Sequence, residues 1–150
     1  MEPAVRELLE AADDPVHAEG DPTLDWPAIH ARVAVLRPLL ERIAGRAFVQ
    51  DNNVQDASFF TELSIQRPGP QPNSIDTVLA VRFSGFGLLF TTWSHCEAER
   101  LPPEVTVELV AAVSRAGFRY ALAGDLDVPY TGQHPGFAGS SWWIRFFDYV

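Results

Sequence analysis

Apolar positions along this chain recur with two different periods, and the period changes near residue 46. Over residues 26–43 they fall at Trp26, Ile29, Val33, Leu36, Leu40 and Ile43, with spacings of 3, 4, 3, 4 and 3. That is the apolar stripe of an amphipathic helix. Asp25 has the chemistry to cap its first turn, Pro27 suits that turn, and Gly45 is a natural stop. Pro38 lies inside the helix and predicts a kink. A shorter helix is predicted over residues 4–12, with Val5, Leu8, Leu9 and Ala12 on one face. Asp13-Asp14-Pro15 ends it, and residues 15–24 form a Pro-, Gly- and Asp-rich connector. A third helix opens at Pro102-Pro103-Glu104, carries Val105, Leu109, Ala112, Val113 and Ala116 on its stripe, and stops at Gly117.

Between the second and third helices the period is two, as in strands. Phe48–Gln50 is a short strand before the turn Asp51-Asn52-Asn53. Residues 57–66 alternate, with Phe59, Thr61, Leu63 and Ile65 on one face. The prolines at 68, 70 and 72 make the next stretch a loop. Residues 75–84 alternate again, Gly85-Phe86-Gly87 is a tight reversal, and residues 88–93 form the following strand. Phe118–Leu122 is another strand, and residues 124–140 are a long loop. The last nine residues, Trp142 to Val150, are dense in aromatics and read as a final strand. Trp142, Ile144, Phe146 and Val150 would line one face, and Trp143, Phe147 and Tyr149 the other, so both faces want burial. The expected architecture is a single α+β domain over residues 1–150. It has a mostly antiparallel sheet of about five to six strands, helices packed on one face, and a buried C-terminal strand. Residues 1–24 are its acidic N-terminal helix and connector. There is no internal repeat.

Composition changes this picture mainly through charge. Hydrophobic residues are 47% and charged residues 21% of the 150, ordinary values for a chain with a packed core. The net charge of −9 is unevenly placed. Residues 1–25 hold Glu2, Glu7, Glu10, Asp13, Asp14, Glu19, Asp21 and Asp25 against Arg6 alone, a charge of −7, and the remainder carries only −2. No basic stretch is available to neutralise phosphates, so nucleic acid is not an expected partner. No apolar run approaches the ~20 residues that span a bilayer. The first residues lack the basic start and apolar stretch of a signal peptide, so no membrane partner and a cytoplasmic location are expected. All eleven basic residues are arginine. That excludes lysine Schiff-base chemistry and a Walker-type phosphate loop. Arginine without lysine, beside abundant Ala, Gly and Pro, also points to a GC-rich bacterial genome.

Chemistry-bearing side chains are few. His95-Cys96-Glu97-Ala98-Glu99 mixes imidazole, thiol and carboxylates. Neighbours in an extended chain face opposite ways, so His95 is badly placed to serve Cys96, and His134 is the alternative base. One cysteine and four scattered histidines give no zinc-type spacing, so neither metal nor cofactor is expected. Asp125 and Asp127, two apart in a loop, lack the remaining acids of a calcium loop. Ser84-Gly85 and Ser140-Ser141 lack a nucleophile elbow, and Gly85-Phe86-Gly87 lacks the third glycine of a dinucleotide site. Arg145 lies between Trp143 and Phe147, where a cation–π sandwich competes with a charge reaching the sheet edge.

With no catalytic set in view, the expected function is a small acidic interaction protein, in concrete form an inhibitor or immunity-type protein. It would bind a basic protein partner through Asp13, Asp14, Glu19, Asp21, Asp125, Asp127, Tyr130 and His134. The alternatives are a hydrolase gathering His95, Cys96, Asp125, Asp127 and His134, or a ligand site lined by Trp93, Trp142 and Trp143.

Overall fold

Helix α1 spans Pro3–Ala12 and α2 spans Trp26–Ala44. The Asp25 side chain accepts a hydrogen bond from the Ala28 N–H at 3.1 Å, and Gly45 closes α2 in the left-handed conformation at φ 64°. Strands β1 (Val49–Asp51), β2 (Phe59–Pro68), β3 (Ile75–Ser84) and β4 (Leu89–Trp93) follow as an antiparallel meander. Helix α3 (Pro103–Arg115) then crosses over to β5 (Arg119–Tyr120), which pairs with β4 in parallel. The spatial order is β1-β2-β3-β4-β5. Two short helices end the chain, α4 (Ala123–Leu126) and α5 (Trp142–Phe147), with a 3₁₀ turn at Pro135–Phe137 between them. This computed structural model describes residues 1, 3–96 and 99–150; Glu2, Glu97 and Ala98, named above among the acids and in the thiol cluster, lie outside the described residues. Among the described residues no helix is long and apolar enough to cross a membrane.

The α+β class and a mostly antiparallel sheet hold, with five strands, but two local readings are corrected. The C-terminal segment is buried as a helix, not as a strand: the Ser141 hydroxyl accepts the Ile144 N–H at 3.3 Å and starts α5. Strand β2 is also bulged at Phe60, so the register steps from Phe59↔Ser84 to Thr61↔Phe83. Phe59 is thereby thrown onto the face opposite Leu63. There the Arg82 guanidinium lies 4.1 Å from its ring centre, while Phe60 packs beside Phe83.

Two cores result. In the first, the stripes of α2 and α3 cover Leu63, Ile65, Leu79, Val81, Phe83 and Phe90 on one face of the sheet. The second gathers around the β3–β4 reversal, where α1 gives Leu9 and Ala12, the reversal gives Phe86 and Leu89, and α5 gives Trp142, Phe146 and Phe147. The connector after α1 is pressed onto the same reversal. The Asp21 N–H donates to the Gly85 carbonyl at 2.8 Å, and a Cβ on Gly85 would come within 2.5 Å of the Glu19 carbonyl oxygen. Backbone there cannot yield as a flexible side chain would. Gly85→Ala is therefore expected to cost about 1–3 kcal/mol, read as a lower urea midpoint with an unchanged slope.

Candidate functional site

Arg145, on α5, is 0% exposed, as is the side chain of its partner Asp13. Its Nε donates to Asp13 Oδ1 at 2.7 Å, one terminal nitrogen to the Ala18 carbonyl at 3.1 Å, and the other to the carbonyls of Asp14 and His17 at 2.9 and 3.1 Å. The guanidinium carbon lies 4.1 Å from the Phe86 ring centre and 4.8 Å from that of Phe137. Arg145 neither reaches a sheet edge nor lies between Trp143 and Phe147, the two readings the sequence left open, because a helix and not a strand carries it. Asp13 Oδ2 accepts from the Tyr130 hydroxyl at 2.6 Å and the Gln133 N–H at 2.7 Å, and the Tyr130 oxygen accepts from the His134 N–H at 2.6 Å. Burial pushes the Asp13 carboxyl up, but the bonds from Tyr130, Gln133 and Arg145, with the Arg145 charge, outweigh it and hold Asp13 below its ordinary value. Burial, then the bond to Asp13, pushes the Tyr130 phenol up to about 12.

Three of the eight expected partner-binding residues, Asp13, Tyr130 and His134, are thus brought together; the Asp13 side chain and Tyr130 are buried, and the half-exposed His134 joins through its backbone N–H. Asp13 and Tyr130 are engaged in the fold's own network, since a buried arginine needs its charge and its donors met. Asp14 accepts from the N–H groups of His17 and Val16 and from the His17 ring, which hold it at about 2. Asp21 bonds the N–H and hydroxyl of Thr23. Glu19 and Asp127 are exposed and Asp125 is half-buried in α4. The residues of the hydrolase alternative lie on separate elements: His95 and Cys96 just past β4, Asp125 and Asp127 at α4, and His134 before the 3₁₀ turn. Among the described residues no hydrogen bond joins any two of these five, and no group of three His, Cys, Asp or Glu side chains could hold a metal ion. The three tryptophans do not share a pocket either. Trp142 stacks on Phe146 in the second core, whereas Trp93 and Trp143 flank Arg82.

Arg82 sits on the sheet face turned away from α2 and α3. Its Nε donates to Glu62 Oε2 at 2.6 Å, and a terminal nitrogen donates to the Phe147 carbonyl at 2.7 Å. The Trp93 indole N–H donates to the same Glu62 oxygen at 2.9 Å. Phe59, Trp93 and Trp143 surround the guanidinium at 4.1, 5.0 and 5.8 Å. The sequence pattern shows Arg82 facing away from the core but does not reveal this cage. Its signal is the cross-strand pairing of Glu62 with Arg82, which follows once β2 and β3 are in register.

Beside this cage is an open cleft of about 310 Å³ between the connector, the start of α2 and the β1–β2 loop. Trp26, Phe59 and Phe60 contribute its aromatic wall, and Glu19 and Asp56 its charge. No residue of the cleft other than Glu19 is among the expected site residues. Trp26 reads from the sequence as part of the α2 stripe and Phe60 falls on the face opposite Leu63; in the structure both are half-exposed. Compared with known protein families, with curated proteins and with solved structures, the chain finds no match in any of the three.

Proposed function

We propose that this is a non-catalytic interaction protein whose acidic surface binds a basic protein partner, in the manner of an inhibitor or immunity-type protein masking a cationic site. One observation carries the reading: among the described residues nine acids stand exposed against five arginines, Arg6, Arg42, Arg100, Arg115 and Arg119, while most of the other arginines are held by the chain's own acceptors. Arg37, Arg46, Arg67, Arg82 and Arg145 are committed to ion pairs with the chain's own carboxylates. Arg32 and Arg119 donate to backbone carbonyls of Ala116 and Gly87. Glu7, Glu10, Glu19, Asp25, Asp51, Asp56, Glu104, Glu108 and Asp127 remain exposed. A rigid surface with one sign of charge in excess steers a partner of the opposite sign. The N-terminal acids take part as a fixed face and not as a loose arm, because Arg145 clasps the backbone at residues 14, 17 and 18.

The test is capture of partners by the tagged, folded protein from an extract of its own cells, at low salt and again near 1 M salt. The screening length falls from about 10 Å at 0.1 M to about 3 Å at 1 M. A stoichiometric basic protein, held at low salt and released at high salt, is the expected result. Capture of no protein, or of one indifferent to salt, overturns the proposal.

A further inference from the structure

The molecule builds the same kind of recess three times, with carboxylate on one side and aromatic rings on the others. Two are filled by its own arginines. Arg145 occupies the one made by Asp13 with Phe86 and Phe137, and Arg82 the one made by Glu62 with Phe59, Trp93 and Trp143. The third is the cleft of Glu19, Asp56, Trp26 and Phe60, and none of the described arginines lines it. We infer that this cleft takes a guanidinium group, the side chain of an arginine presented by the basic partner. The inference rests on the proposed function and narrows it to the atoms that would recognise one residue.

The chemistry is matched on each count. A guanidinium is planar, weakly hydrated and permanently charged, so it stacks on aromatic faces while its N–H groups reach carboxylates. Trp26 and Phe60 lie with ring centres 5.1 Å apart, tilted at 58°, and both are half-exposed. Neither Glu19 nor Asp56 has a side-chain partner among the described residues, so both charges stand available at the rim. A volume of about 310 Å³ is at the lower end of the range for small-molecule sites. It suits one side-chain head. Both walls are also held in advance. Residues 18–21 are fixed by Arg145 and by the Gly85 carbonyl, and the Asp56 carbonyl accepts the Val150 N–H at 2.8 Å. Gly20 packs so closely that a Cβ there would meet the Trp26 ring at 3.1 Å. A preformed recess loses little on binding.

The experiment is an NMR titration of the full chain with N-acetyl-arginine amide, following the Trp26 indole N–H, which is assigned by Trp26→Phe. N-acetyl-citrulline amide has nearly the same shape without the charge and serves as the comparison. Saturable shifts of the Trp26 signal with the arginine compound, at least about 5-fold weaker with the citrulline compound, are expected. Glu19→Gln together with Asp56→Asn should weaken the arginine compound by about the same factor. Both side chains are exposed, and Asn tolerates the positive φ of 51° at position 56, so the fold is retained. Equal shifts from the two compounds in the native chain, or an unaffected double variant, overturn the assignment. Partner capture separates this failure from failure of the broader reading. A native chain that captures a salt-sensitive basic protein, with a double variant that captures it equally, removes the cleft alone. Arginine-specific shifts with no captured protein support the cleft and remove the partner.

Discussion

Replacing Arg145 by methionine is expected to lower Tm by about 6–20 °C. Removing one member of a buried ion pair costs about 3–5 kcal/mol, because the other charge is left without compensation. For a chain of this size each kcal/mol moves Tm by about 2–4 °C. The variant orphans more than Asp13. The carbonyls of Asp14, His17 and Ala18 lose their donor as well. Arg145→Lys should recover little, since an ammonium cannot present the same planar fork to four acceptors. The same network fixes a pH dependence. Asp13 is held below its ordinary 3.8, so its contribution is complete above that value and is lost as pH falls through the lowered one. Tyr130 is raised from 10.0 to about 12, so its contribution is complete below 10 and is lost as pH rises toward 12. Urea unfolding from pH 6 down to pH 2.5 should show the acid limb in the native chain and a flatter limb in Asp13→Asn. Equal limbs would contradict the assignment of Asp13 as the buried anion.

Phe146→Ala is expected to cost about 3–5 kcal/mol, whereas Ile144→Ala is expected to cost less than about 1 kcal/mol. Phe146 is 0% exposed, stacked 5.6 Å from Trp142 and edge-on to Phe86 at 5.8 Å. Ile144 is 38% exposed on the outer side of the same short helix. The pair discriminates between conformations. In a strand, residues 144 and 146 share a face and both truncations would be severe. Chemical denaturation of the two variants in parallel reads the difference directly.

Why that segment looks like a strand is instructive. Positions four apart fall on the same side with a period of 2 and lie close together with a period of 3.6, so Trp142 and Phe146 are equally satisfied by either. The aromatic and β-branched composition then tips the reading toward strand. Only Ile144 and Arg145 distinguish the two, together with the capping serine at position 141. Helix α2 was legible because its stripe runs for five turns between an Asp cap and a Gly stop. The parallel pairing of β5 was not, since two residues carry no period and the crossover through α3 decides their partner. Of the candidate site, the excess of acid was plain in the sequence. That Asp13 is buried was not, because a run of charge reads as a solvated face until a buried arginine is found to need it. Trp26 was visible only as a residue of the helical stripe, and Phe60 only as one on the face opposite Leu63, because the bulge that sets Phe60 beside Phe83 leaves no mark in the alternation.

The clasp between Arg145 and Asp13 joins positions 132 apart in the chain, and this has a consequence for the order in which the protein is made. During synthesis the first core is complete in sequence once Phe118 has been added. The second is not, because it lacks Trp142, Phe146 and Phe147 until residues 142–147 emerge. Leu9, Ala12 and Asp13 are made long before the partners they pack against. The second core can close only once residue 147 has been added.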